Sequence, residues 1–252
     1  MLRGIAARWK RPRAGEPVTT TSIALLAAVM VAAGCAGPGA DRARMLPLDH
    51  GVPLRYVALG DSTVEGIGAT GPSANYVSRL HARLHAVYPR ASVVNLGAGG
   101  ATSADVIAEQ LERALLLRPH LVTLSIGPND ITGRVPVLEY ERSVGTILGR
   151  LTRETSAVVV VNLLPDLAVT PRFRGRETSA EVAGLTVRFN DALGRLARQY
   201  GVEVVDLYQP SRAEIPRHPE LLAADGYHPS DRGYERWAEL VWAGVERRIF
   251  AY

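Results

Sequence analysis

The chain has 252 residues, 47% hydrophobic and 21% charged, which suits one soluble globular domain that builds its core without disulfide or metal staples. Its net charge of +4 is unevenly placed, because residues 1–34 hold Arg3, Arg8, Lys10, Arg11 and Arg13 against Glu16 alone. Taking these from the 29 basic and 25 acidic residues of the whole chain leaves a formally neutral remainder, which excludes a basic surface of the kind that binds nucleic acid.

In chain order, the first element is a targeting segment. A basic stretch ending at Arg13 precedes the apolar run Ile23–Ala33, which is long enough for a signal-peptide core and far short of the roughly 20 residues of a membrane-spanning helix. Gly34 and Cys35 follow. Ala32-Ala33-Gly34-Cys35 resembles a bacterial lipobox, with Ala32 where leucine is usual, so Cys35 is expected to carry lipid. The alternative is simple secretion after cleavage at a nearby small residue. Either way the expectation is an exported protein, lipid-anchored at the outer face of the cell membrane or released. Cys35 is the only cysteine, so no intrachain disulfide forms. Residues 35–54, rich in Gly, Pro and charge, are expected to form a tether.

From residue 55 short apolar runs alternate with amphipathic ones. The apolar runs are Tyr56–Leu59, Ser92–Asn95, Leu121–Ile126, Ala157–Leu163 and Val202–Leu207, β-branched and nearly continuous, as in parallel strands covered on both faces. Helical spacing appears in Ile107, Leu111, Ala114 and Leu115, in Val182, Leu185, Phe189, Leu193 and Leu196, and in Tyr234, Trp237, Ala238, Val241 and Val245. The alternation predicts one three-layer α/β/α domain over residues 55–252, with a five-stranded parallel sheet.

Such sheets bind ligands beyond the carboxyl ends of their strands, so the residues following each strand carry the functional reading. They are Gly60-Asp61-Ser62, Gly97 to Thr102, Gly127-Pro128-Asn129-Asp130, Leu164-Pro165-Asp166-Leu167 and, after the fifth strand, Asp225-Gly226-Tyr227-His228. Acyl transfer from an ester needs a nucleophile, a base, a group that orients the base, and donors for the oxyanion. Ser62, His228 and Asp225 supply the first three. The backbone N–H groups of Ser62 and Gly100 and the Asn129 amide supply the donors, although Gly97 and Gly99 compete with Gly100 for its place.

Ala58 to Gly66, Asn95 to Thr102, Gly127 to Asp130 and Asp225 to His228 resemble, in order, the four sequence blocks of the SGNH/GDSL hydrolases. The resemblance spans residues 56–232, with threonine at position 63 where the family name has leucine. It implies a flavodoxin-like sheet, a serine esterase or lipase working through an acyl-enzyme, and no metal or cofactor. Matched block by block, it places the nucleophile at Ser62, the oxyanion donors at Ser62, Gly100 and Asn129, and the base and acid at His228 and Asp225. The substrate is then an acyl or acetyl ester of a lipid or an envelope carbohydrate. Transfer of the acyl group to an acceptor other than water, and a non-catalytic envelope-binding role on the same scaffold, stay open, though an intact Ser62, His228 and Asp225 argue against the second.

Other motifs carry less. Gly66-x-Gly68-x-x-Gly71 has the dinucleotide spacing but starts beyond the strand and lacks the later acidic residue, so it is expected to be a flexible loop. His81 and His85 share a helix face without a third metal ligand. Arg172, Arg174 and Arg176 around Phe173 border the expected site. Lys10 is the only lysine, so the remainder of the chain lacks the residue that P-loop, Schiff-base and Ser–Lys chemistries need.

Overall fold

The computed structural model describes residues 43–249; Cys35 and the expected signal peptide lie outside them. The strands are β1 (Arg55–Gly60), β2 (Ser92–Asn95), β3 (Leu121–Ser125), β4 (Val158–Asn162) and β5 (Glu203–Val205). They pair in parallel in the order β2-β1-β3-β4-β5, the doubly wound order of flavodoxin-like domains. All five follow the expected runs. β3 and β4 are buried throughout and β1 nearly so, whereas β2 and β5 keep partly exposed residues because each forms an edge of the sheet.

Alternate strand residues feed two cores. Val57, Leu59, Val122, Leu124, Val159 and Val161 face one layer, and Tyr56, Ala58, Leu121, Val158, Val160 and Val205 the other. Between β1 and β2 lie α1 (Ser62–Glu65) and α2 (Tyr76–Val87). Between β2 and β3 come α3 (Ser103–Asp105), a π-helical turn (Val106–Leu111) and α4 (Glu112–Leu116). The short α5 (Pro128–Thr132) and long α6 (Val137–Glu154) precede β4; α7 (Ser179–Tyr200) follows it. After β5 the chain forms α8 (Tyr208–Glu214) and α9 (Asp231–Glu246). The first core layer is covered by the π-turn segment, α6 and α7, the second by α2 and α9. The expected apolar face of α9 is buried at every position, and that of α7 at all but the half-buried Leu185.

Two local departures have physical causes. The helix expected around Ile107–Leu115 is wound as a π-turn at Val106–Leu111, which brings the polar Gln110 inward, where it is 3% exposed. The expected tether also ends earlier than residue 54. Leu46 and Leu54 are fully buried, the Leu46 N–H donates to Arg248 O (2.7 Å), and the Arg44 guanidinium donates to the carbonyls of Thr152, Thr155 and Ala157 at the end of α6. A charge-rich segment thus joins the domain by saturating carbonyls that the helix leaves open.

The centre of the sheet depends on an absent side chain. Gly60 has φ +146°, and a Cβ there would lie 1.9 Å from Ser125 O on β3. Gly60→Ala is therefore expected to lower stability by about 3 kcal/mol or more, read from urea melts. A normal melting midpoint would mean that β1 and β3 separate at this point without cost.

Candidate active site

The nucleophile turn follows β1 directly. Asp61 is 1% exposed, and its Oδ1 accepts the Thr63 N–H (2.9 Å) and Thr63 hydroxyl (2.8 Å), so Asp61 is the N-cap of α1. Capping is the commonest task of a serine after a strand, and here Asp61 takes it over, leaving the Ser62 hydroxyl free for another partner. Burial pushes the Asp61 carboxyl up to about 6 against the opposing pull of its Thr63 bonds. Its Oδ2 is buried without a protein partner. Behind the turn, Gln110 Oε1 accepts the Gly60 N–H (2.9 Å) and Gln110 Nε2 donates to Gly60 O (2.8 Å). Nothing in the local sequence marks Gln110 for this place, which the π-turn gives it.

The Ser62 hydroxyl meets His228 Nε2 at 2.9 Å, and His228 Nδ1 meets Asp225 Oδ2 at 2.5 Å, so the three sequence-predicted residues form one hydrogen-bonded line. Asp225 Oδ1 also accepts the N–H groups of Tyr227 (2.9 Å) and His228 (3.0 Å), closing a tight turn. Burial acts to raise the Asp225 carboxyl, but the His228 bond and the two backbone donors outweigh it and hold Asp225 below its ordinary value. The whole turn is pinned from outside by the Ala223 N–H to His228 O (2.8 Å) and the Ser230 N–H to Leu221 O (2.9 Å).

The loop after β2 resolves which glycine stands free. Gly97 N–H donates to Asn95 Oδ1 (2.9 Å), Ala98 N–H to Gly60 O (3.1 Å), Gly99 N–H to Glu65 Oε2 (2.6 Å) and Ala101 N–H to Ala98 O (3.1 Å). Among the described residues of this loop, Gly100, at φ +79°, alone has an N–H with no acceptor in the protein. The Ser62 N–H is likewise unclaimed. Asn129 Nδ2 donates to Ala101 O (2.9 Å), which fixes the amide beside the loop and leaves its second N–H available. The next residue, Asp130, is fully buried and accepts the Ser103 N–H (3.0 Å) and hydroxyl (2.6 Å). Asn129 and Asp130 are thus clamps on the β2 loop from across the sheet edge, a function their place in a four-residue motif does not reveal.

The remaining motifs settle into supporting places. The Gly66–Gly71 loop, expected to be flexible, is tied down: Thr70 N–H donates to Asp231 Oδ1 (2.8 Å) and the Tyr234 hydroxyl to Ile67 O (2.7 Å). Gly68, at φ +93°, packs where a Cβ would lie 2.5 Å from Pro229 O and 3.0 Å from His228 Cβ. The loop is a contact between the segments that carry Ser62 and His228. Arg172 stacks on Tyr227 (4.7 Å), whose ring meets the His228 ring edge-on at 5.1 Å, whereas Arg174 and Arg176 are exposed. His81 Nε2 sits 3.1 Å from Ala91 O, and among the described residues no three metal-ligating side chains gather. A cavity bordered by Ser62 and His228 is lined further by residues of α8 and α9.

Comparison with known proteins agrees with this architecture. Residues 58–236 match the GDSL-like lipase/acylhydrolase family. The chain is 24% identical over 221 residues to the spore germination lipase LipC of Bacillus licheniformis, covering 78% of this chain and 98% of that protein. It is 29% identical over 190 residues to an acetylxylan esterase of Geobacillus stearothermophilus, covering 69% and 83%. Among solved structures, LAE5, an alpha/beta hydrolase enzyme from the metagenome of Lake Arreo, is 25% identical with a TM-score of 0.63 and coverage of 77% and 95%. The match takes in all four sequence blocks, from β1 to the turn before α9, and on that ground the chain belongs to the GDSL-like lipase/acylhydrolase family of ester-hydrolysing enzymes.

Proposed function

We propose that the chain is a serine esterase that works through an acyl-enzyme, with Ser62 as nucleophile, His228 as base and Asp225 as the group that orients it. The observation that carries the reading is the unbroken line from Ser62 Oγ through both ring nitrogens of His228 to Asp225 Oδ2. In the first step His228 Nε2 takes the Ser62 proton as Oγ bonds to the ester carbonyl carbon. The carbonyl oxygen becomes an oxyanion, received by the Ser62 and Gly100 N–H groups and the Asn129 amide. The imidazolium, steadied by Asp225, then gives its proton to the departing alcohol. Water repeats the sequence against the acyl-Ser62 bond and restores the enzyme. Every proton in this cycle moves between Ser62, His228, water and substrate, so the described residues suffice for it.

The basic and apolar segments before Cys35 and the lipobox-like Ala32–Cys35 support a further part of the reading, export and lipid anchoring at Cys35. No helix among the described residues is long and apolar enough to cross a membrane. In the native host, Cys35→Ala is expected to move the protein from the membrane fraction to the medium or stall its processing. An unmodified Cys35 in the mature protein, by mass spectrometry, would show the lipobox reading to be wrong.

Ser62→Ala and His228→Ala are each expected to remove nearly all ester turnover while circular dichroism stays native, since nucleophile and base act as a unit. Asp225→Asn is expected to cost up to about ten-thousandfold in kcat by holding the imidazole in the wrong tautomer. Asp225, held below its ordinary value by His228 and the two backbone donors, keeps its charge in mildly acid solution. A well-folded His228→Ala enzyme with near-normal kcat would overturn the mechanism.

Asn129→Ala is expected to lower kcat roughly 100- to 1000-fold with little change in KM, because its donor matters when the oxyanion forms. The Ala101 carbonyl contact gives Asn129 a second, structural task, so thermal melts belong beside the kinetics. Unchanged kcat with a lowered melting temperature would reduce Asn129 to a loop clamp.

A further inference from the structure

The family match joins this chain to one relative named for a lipid substrate and one named for an acetylated sugar, and the cavity beside Ser62 distinguishes between those chemistries. Its walls are mostly aliphatic or aromatic, with Leu167, Leu207, Ile215, Leu222, Trp237 and Leu240 running from the catalytic edge toward α9. Four prolines, Pro128, Pro165, Pro210 and Pro229, also border it and bring no backbone N–H.

Most polar side chains that border the cavity are already engaged, the exceptions being the Tyr227 hydroxyl and Trp237 Nε1, which are buried and have no protein partner. The Thr63 hydroxyl donates to Asp61 Oδ1 (2.8 Å), that of Thr170 to Leu167 O (2.7 Å) and that of Ser211 to Tyr208 O (2.8 Å). Ser211 Oγ also accepts the Asp166 N–H (2.8 Å). Glu214 and Arg236 form a two-point ion pair, Nη2 to Oε1 at 2.8 Å and Nε to Oε2 at 3.0 Å, and Arg236 Nη1 continues to Glu239 at 3.2 Å. A sugar ring carries several hydroxyls, and entering this space it would exchange water for mostly apolar walls with few open donors or acceptors, leaving most of those hydroxyls unpaired. An alkyl chain needs no such partners and gains from each methylene removed from water.

Resting on the esterase reading above, we infer that this cavity holds the acyl chain of the substrate and that the enzyme prefers esters of medium or long fatty acids over acetate esters. The two steps of the reaction favour the acyl group over the alcohol as occupant. The alcohol leaves after the first step and water must enter where it stood. The approach past Gly100 and Asp225, both exposed, is open to solvent and suits that exchange. The acyl group stays bonded to Ser62 through both steps and is the part that a lined cavity can hold throughout. Glu214 of α8 and Arg236 of α9, which also border the cavity, meet it as an ion pair rather than as free charges.

The test is a pair of substrate series on the full chain: p-nitrophenyl esters with acyl chains from two to twelve carbons, and acetates of straight-chain alcohols of the same lengths. The expected result is a kcat/KM that climbs about threefold to fourfold per acyl methylene until the cavity is full, with a flat alcohol series. Ile215→Asp, which sets a charge in the wall, is expected to lower the octanoate-to-acetate ratio of kcat/KM by roughly tenfold or more. An optimum at acetate, a rise confined to the alcohol series, or an unchanged ratio in a folded Ile215→Asp enzyme each overturns the acyl assignment while leaving the esterase reading standing. Failure to turn over any ester, together with no labelling of Ser62 by a fluorophosphonate, overturns both.

Discussion

The backbone of Gly60 is the fixed point of this molecule. Its N–H and C=O are both held by the Gln110 amide, its carbonyl also takes the Ala98 N–H, and β3 passes so close that no side chain fits. These contacts set the direction in which the chain leaves β1, and therefore where Asp61 caps and where Ser62 points. A buried two-point amide contact is unforgiving, because losing it strands a donor and an acceptor in a dry place. The π-turn that carries Gln110 departs from regular helix geometry at the place where its side chain is needed.

Around that point the site is assembled by loops that bind one another more than they bind the sheet. Asn129 and Asp130 reach from the end of β3 to hold the β2 loop at Ala101 and Ser103, and Glu65 holds it from the other side at Gly99. Glu65 and Asp130 take the N–H groups of Gly99 and Ser103, Asn129 holds the Ala101 carbonyl, and Asn95, Gly60 and Ala98 accept those of Gly97, Ala98 and Ala101, so that Gly100 is left. The His228 turn is joined to the nucleophile segment through Gly68 and through the Thr70 and Tyr234 bonds to and from α9. Residues 166 positions apart in sequence therefore meet at 2.9 Å because several short polar contacts define both of their segments.

The sequence reading reached the five parallel strands and the residues of the Ser62–His228–Asp225 line because each rests on a local signal: β-branched runs, a strand-end glycine, a carboxylate three residues before an imidazole; the flavodoxin-like arrangement of those strands came from the family resemblance. The reading missed what is decided by distant partners. Gln110 looks like an exposed helix residue until the π-turn rotates it inward, and Asp61 looks like part of a motif until it takes the cap from Ser62. Arg44 and Leu46 read as linker because their partners lie more than 100 residues away at the end of α6 and the end of α9. The loop of Gly66 to Gly71 read as flexible because its glycine spacing fits no nucleotide site, although Gly68 serves close approach to Pro229 and His228.

Two carboxyl groups beside one imidazole show how environment divides residues of the same type. Asp61 is buried with one oxygen lacking a partner, and burial raises it to about 6; Asp225 is exposed at the rim and is held low by His228 and two backbone donors. In the proposed mechanism the partner of the imidazolium must stay charged while His228 cycles, and of the two only Asp225 both meets that condition and touches the ring. Asp61 accepts from Thr63 through a single oxygen, a bond that survives protonation of the other. It holds the shape of the turn whether or not it is charged, so in the proposed mechanism the stabilisation of charge falls to Asp225.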